Sequence, residues 1–354
     1  MTKRSSTRIY AGAGHWVSAG TRHPGGLFRR SPGDDEWQLL TAGLPEHTEA
    51  RALAVHPRDP DVVYAGTQDG PYRTTDGGGR WERLGFPARG AVVWSIAFHP
   101  TRPLIMYAGV APIGIYRSED GGDTWHKLRG AQSPDHCPMG FPARVTRIAV
   151  DPGSPDNVYA ALEVSGVIRS TDGGETWTDL SAPLIKLAEH PHLKSRIGSD
   201  IDAEGMLDSH ALAVSAATGT AFLAVRMGLF RSDDCGASWR DMEIGRYSPL
   251  TYCRDVIVAP HDPRVMYACL SVSARGNDGS LYRSGDVGMT WRRFDHGIKS
   301  HGTMMAVAVH PRDPARVYCV SRCGQVFGTE DAGASWREYP LPEGVADVYT
   351  VACA

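Results

Sequence analysis

Apolar and polar residues alternate along this chain in short runs, and the runs are interrupted by turn residues at regular intervals. RALAVHPRDPDVVYAG (51–66), RVTRIAVDPGSPDNVYAA (144–161) and MMAVAVHPRDPARVYCV (304–320) each read as two strands flanking a Pro- and Asp-rich centre. A period of two with a tight turn between the runs marks an antiparallel pair, strands A and B of one unit. A third strand follows each pair and ends in a Gly-containing turn, after which a tryptophan opens a fourth. A helical period occurs only in LIKLAEHPHLKSRI (184–197), where Pro191 interrupts it. The pattern predicts an all-β chain with one short helix, lying over the functional face as a lid, inside a long connection at 178–207.

The third-strand turn is a repeat. YRTTDGGGRW (72–81) recurs as YRSEDGGDTW (116–125), IRSTDGGETW (168–177), FRSDDCGASW (230–239), YRSGDVGMTW (282–291) and FGTEDAGASW (327–336). A degenerate copy, FRRSPGDDEW (28–37), keeps Trp37 but has Pro32 in place of Asp. Successive tryptophans lie 44, 44, 52, 62, 52 and 45 residues apart, the length of a four-stranded propeller blade. The expectation is one seven-bladed β-propeller of four-stranded antiparallel blades over residues 1–354. The N-terminus supplies strands B, C and D of a blade (IYAGAG, GLFRR, WQLL) with no strand A before them. VADVYTVACA (345–354) has the strand A pattern and then stops. Blade one is therefore expected from about 8–42 plus 343–354, with the C-terminal strand closing the ring and the 178–207 insertion between blades four and five.

The Ser/Thr-x-Asp-x-Gly-x-x-Trp boxes resemble the Asp-box (BNR) repeat family, and the resemblance covers nearly the whole chain. That family spans sialidases, sortilin-type receptors, photosystem assembly factors and bacterial proteins of glycosyl-hydrolase type. The resemblance implies the propeller; it does not carry one activity, because unrelated functions share this fold. Against the sialidases in particular, the Phe/Tyr-Arg-Ile-Pro motif is absent, the nearest text being LFRRSP (27–32).

Composition narrows the function classes. With 37 basic and 40 acidic residues the net charge is −3, which offers no basic face for nucleic acid or an anionic membrane. No apolar run is long enough to span a bilayer. The N-terminal MTKRSSTRIYAGAGH has no apolar signal-peptide centre, so a cytoplasmic location is expected. Seven cysteines in no regular pattern read as free thiols rather than a zinc or disulfide framework.

Loop lengths select a face. The A–B turns (HPRDPD, HPTRPL, DPGSPD, APHDPR, HPRDPA) and the boxes vary little, so His56, His99 and His310 read as structural. All elaboration falls on the other face, in 12–26, 129–143, 178–207 and 271–279, the side of His15, His23, His136, His190, His192 and His301. Function in a repeat fold belongs on the elaborated face. The inner strands align on Leu53, Ile96, Ile148, Leu212, Val256, Val307 and Val351. Two residues earlier stand Arg51, Trp94, Thr146, His210, Arg254, Met305 and Tyr349, and four earlier Glu49, Val92, Arg144, Asp208, Tyr252, Thr303 and Asp347. Below this level the strands read as almost wholly apolar.

A polar ring at a channel mouth must be paired or solvated, and it serves either as a salt-bridged neck or as a ligand site. In the second reading the protein is a small-molecule hydrolase or lyase acting on an anionic or hydroxylated substrate. Arg51, Arg144 and Arg254 would then grip an anionic group, with Trp94, Trp16, Tyr252 and Asp347 completing the binding site. Glu49, Asp208 and His210 are the candidate acids and bases, and Tyr349 the candidate proton donor or nucleophile. No cofactor is implied. A metal-assisted variant would draw His210, His301 and Asp208 or Glu49 around a divalent ion. The alternative is a non-catalytic binding scaffold that presents the long-loop face to a protein or other ligand; an exposed apolar patch at Ala182–Leu187 would favour it.

A box aspartate has no catalytic reason to recur in six blades, whereas an Asp that accepts backbone N–H bonds within its own turn does. Asp172→Asn is therefore expected to lower the melting temperature and to spare ligand binding. A folded variant that no longer binds would refute the structural assignment.

Overall fold

The computed structural model describes residues 7–15, 25–31, 33–134 and 136–354. Seven four-stranded antiparallel sheets stand around a central channel. Six are built from consecutive strands; the seventh joins Val348–Cys353 to Ile9–Ala13, Gly26–Arg30 and Gln38–Leu39. The ring is thus closed as the two chain ends imply, with Ala11 opposite Val351 and Tyr10 opposite Ala352. The innermost strand A has six or seven residues in each blade, whereas the outermost strand D has two, mostly exposed. No helix among the described residues is long and apolar enough to cross a membrane.

The core lies between the blades rather than within one centre. Seven apolar clusters fill the seven seams, and each box tryptophan packs into the seam with the preceding blade, as Trp81 and Trp125 do. The box makes this placement rigid. In blade four the Ser170 hydroxyl donates to Asp172 at 2.7 Å, and Asp172 accepts the Thr176 amide at 2.9 Å. The Thr176 hydroxyl and amide and the Ser170 hydroxyl hold the Asp172 carboxyl down at about 2. The residue after Asp has positive φ: Gly77, Gly121 and Gly173 adopt it freely, while Cys235, Val287 and Ala332 adopt it at a steric cost.

Five of the boxes also dock on the A–B turn of their own blade, as in the Gly121 amide donating to the Leu104 carbonyl at 2.9 Å. A tyrosine from the preceding blade caps the same box. The hydroxyls of Tyr10, Tyr64 and Tyr107 donate to the carbonyls of Gly77, Gly121 and Gly173 at 3.0, 2.7 and 2.9 Å. The pattern then lapses. Tyr159 finds no acceptor, blade five has Phe222, and Tyr318 turns to Glu330 of its own blade. Between blades six and seven a groove of about 330 Å3 lies along Tyr267, Phe294 and Ala332.

Every inner strand carries a β-bulge at one place. The register slips at Arg51, Trp94, Thr146, His210, Arg254, Met305 and Tyr349, the residues two before the apolar anchors. A bulge leaves one residue unpaired and turns its neighbours. The polar ring is thus also the level at which pairing breaks in all seven blades.

The insertion forms the expected helix, α1 (Ala182–Leu187), and a second turn, α2 (Glu204–Leu207). It does not act as a lid. Leu184, Leu193, Met206 and Leu207 pack onto Val164, Val167 and Leu212 at the flank of blades four and five, and none of the insertion lines the channel cavity. The buried carboxylate of Glu204 accepts the Ile197 and Gly198 amides and ties the loop together. Only Ala182 and Lys186 of α1 are exposed, so no apolar patch faces solvent there. Five of the seven cysteines are buried; Cys235 is half-buried and Cys323 exposed.

His56, His99 and His310 brace the A–B turns, each accepting backbone amides at Nδ1; Thr101 and Arg102 donate to His99 at 3.2 and 3.1 Å. Asp151 does the same in blade four through Oδ1. Burial lowers all three histidines below their ordinary value. Their neutral form is the folded one, so their stabilisation is complete above the ordinary value and fades as pH falls through the lowered ones. His99→Asp should keep the fold and lose less of its melting temperature between about pH 7 and pH 5 than the parent. An unchanged pH profile would refute this role. Deleting residues 345–354 strips blade one of its inner strand, and the product should aggregate or melt without cooperativity; a normal sharp transition would refute closure by that strand.

Candidate functional site

The seven bulge residues all line one cavity of about 100 Å3 in the channel, together with Leu53, Ile96, Val307 and Val351. The ring that the alignment singles out is therefore assembled. The residues four before the anchors sit outside this cavity, on the rim.

On one side of the rim Trp94 lies under two guanidiniums, with Arg144 at 4.0 Å and Arg51 at 4.5 Å from its ring, and Tyr349 meets its edge at 5.3 Å. Cations over an indole face are attracted by the ring quadrupole. Trp94 is only 9% exposed, so it stacks arginines and leaves little surface for a sugar. Glu49 pairs with Arg51 and accepts from His15 Nδ1 at 2.6 Å. Arg144 pairs with Glu163. Burial raises the Tyr349 phenol, whose hydroxyl is 3.4 Å from the His15 carbonyl. Trp16 lies outside the described residues.

Across the channel His210 is 5% exposed. Its Nδ1 lies 2.7 Å from the Cys253 carbonyl and therefore carries the proton, and its Nε2 is 3.3 Å from both the Tyr252 hydroxyl and Asp208. Burial raises the Asp208 carboxyl, but His210, Arg226 and Arg254 more than offset that and hold it at about 2. Burial pushes the Tyr252 phenol up to about 12. Asp208 is thus held as a carboxylate among three cationic or donor groups, and His210, though buried, lines the cavity. Asp347 pairs with Arg322 at 2.8 Å, which makes it a rim strut. The metal variant is not assembled either. His301 lies in a separate groove with Arg275, Arg322 and Cys323, and among the described residues no three His, Cys, Asp or Glu side chains could hold an ion.

The alignment missed two groups. Glu163, Arg226 and Arg322 stand just after strand B in their blades, where Gln68 of blade two accepts the Glu49 amide at 2.8 Å. Their shared place, opposite the start of strand A, is the signal that would have found them. The second group contradicts the expectation of an apolar wall below the ring. Past the bulge, Arg147 and Asp255 pair across the channel at 2.6 Å. There Asp255 accepts the Val307 amide and Ser95 accepts the Ile148 amide. Polar residues after a bulge escape an alternation rule because the bulge shifts the phase.

Comparison with known proteins places this architecture among relatives. No family model matches the chain. It is 25% identical over 304 residues to the xyloglucanase Xgh74A of Acetivibrio thermocellus, an alignment covering 76% of this chain and 34% of that protein. It is 24% identical to a xyloglucanase of Hypocrea jecorina, covering 76% and 28%. The chain thus spans about a third of the length of the curated relatives it matches. Among solved structures it resembles the GH74 xyloglucanase of Xanthomonas campestris with a TM-score of 0.61 and 18% identity, over 86% of this chain and 46% of that one. Likeness at that identity speaks for the fold alone. The relatives are glycosidases, but xyloglucanases rather than sialidases, so what the comparisons support is a seven-bladed propeller similar to part of a glycoside hydrolase.

Proposed function

We propose that this protein acts on a carbohydrate, as a propeller of glycoside-hydrolase type, and that it meets the glycan on the long-loop face over the Arg51–Trp94–Arg144 cluster. The observation that carries the reading is the alignment with xyloglucanases along three quarters of the chain. The geometry is compatible with a hydroxylated ligand. Guanidiniums 4.0 and 4.5 Å from an indole centroid can share their N–H groups with sugar hydroxyls at the rim. A whole sugar does not enter the neck, whose volume is well under the roughly 300 Å3 at which ligand pockets begin.

One feature favours a second reading, a glycan-binding scaffold without hydrolysis of its own. Glycoside hydrolysis ordinarily needs a protonated acid beside a second free carboxylate. Here Glu49, Glu163, Asp208 and Asp347 are each engaged by an arginine. Release of reducing ends from xyloglucan and its oligosaccharides, measured beside affinity electrophoresis in gels containing the same polymer, separates the two. Release supports the hydrolase, and retardation without release supports the scaffold. In either case Arg144→Ala should weaken glycan binding about tenfold or more, ~1.4 kcal/mol, with the circular dichroism spectrum retained. Unaltered retardation would remove the cluster from the site.

A further inference from the structure

We propose that the neck of the channel binds one small oxyanion through the guanidinium of Arg254. Around the mouth, Arg51, Arg144, Arg147, Arg226 and Arg322 each have a carboxylate partner: Glu49, Glu163, Asp255, Asp208 and Asp347. Arg254 lines the same cavity and has no carboxylate within ion-pair distance among the described residues. Tyr252 beside it, with Asp208 and Glu163 from farther off, favours its charged form, and both carboxylates already serve another arginine. A guanidinium that lines a cavity and has no carboxylate of its own at ion-pair distance is available to a bound anion.

The backbone supplies further donors. At two seams the amide of the apolar anchor faces the preceding blade and is accepted by a side chain there: Ile148 by Ser95 at 2.8 Å and Val307 by Asp255 at 3.1 Å. At three other seams the preceding residue is alanine: Ala211 before Val256, which lie outside the cavity, and two pairs that line it. Ala52 stands before Ile96, and Ala306 before Val351, so these two amides have no side-chain acceptor among the described residues, and all four residues line the cavity. Free amides and a guanidinium that line one cavity form a donor set for phosphate, sulfate or carboxylate oxygens.

Size selects within that class. About 100 Å3 corresponds to about three water molecules at ~30 Å3 each, enough for an anion of three or four oxygens. The anion is either a free inorganic ion or the carboxylate end of a larger molecule whose remainder stays above the ring. The assignment does not depend on the glycan reading, because it concerns the neck and not the rim.

Isothermal titration of the full chain with sodium phosphate, sodium sulfate and sodium glucuronate, at ionic strength matched with sodium chloride, tests it. The expected result is a saturable isotherm of one site per chain for at least one anion, weakened at least tenfold in Arg254→Gln. Arg246→Gln, at an exposed arginine of blade five, should titrate like the parent. Tighter binding of glucuronate assigns the carboxylate source, and tighter binding of phosphate or sulfate assigns a free ion. If Arg254→Gln does not fold, the parent isotherm still decides: no saturable binding of any of the three overturns the proposal, as does equal binding by a folded Arg254→Gln. Because no xyloglucan is present, failure here leaves the glycan reading standing, and failure of glycan binding leaves this one.

Discussion

A propeller has no central core on which its sheets can collapse, so everything depends on each blade having a neighbour on both sides. In this chain that condition is met at one place by non-covalent pairing alone, where Val348–Cys353 lies antiparallel to Ile9–Ala13. The strand joins blade one to its own sheet and also fills the seam with blade seven, where Val348, Tyr349 and Val351 pack among Tyr318, Val320 and Met305. Without it, blade one would lose its inner strand and blade seven one of its walls. Closure also positions the site, since Tyr349 reaches the Arg51–Trp94 cluster only from this strand.

Closure leaves a circular set of short contacts, and the box holds each one. Its aspartate stiffens the turn, its tryptophan enters the seam behind, and in the first three seams a tyrosine from the blade behind caps its backbone. Chemistry of this kind is repeated because the seam is repeated. The unlike residues at the channel mouth follow another rule. They sit where pairing fails in all seven inner strands, at a mouth where five arginine–carboxylate pairs gather beside Arg254.

Much of this was legible from the chain alone. Recurring tryptophans set the blade number, unmatched end strands set the closure, and alignment on Leu53, Ile96 and their equivalents found the ring that lines the cavity. What stayed hidden shares one cause, that contacts between blades are not written in the period of a single strand. The pairing of Arg147 with Asp255 spans blades four and six and lies beyond a bulge that alternation does not register. Glu163, Arg226 and Arg322 belong to hairpins that read as ordinary turns. The helical period of 184–197 was real, but its apolar face found the flank of two blades before it could span the channel. Candidate bases were named by residue type, whereas burial of His210 and the salt bridges of Glu49 and Asp208 decide what those groups can do.

The uneven tyrosine ties carry a mechanical consequence. Blades one to four are laced by hydroxyl-to-carbonyl bonds from strand B of one blade to the box of the next, while from Tyr159 onward that position makes no such bond, Tyr247 ties blade five to Met289 of blade six instead, and a groove runs along Tyr267 between blades six and seven. Local opening starts where the fewest bonds must break together. The ring is accordingly an arc tied by one repeated bond joined to an arc tied irregularly, and the second is the side that carries Tyr252, Arg254 and the neck beneath them.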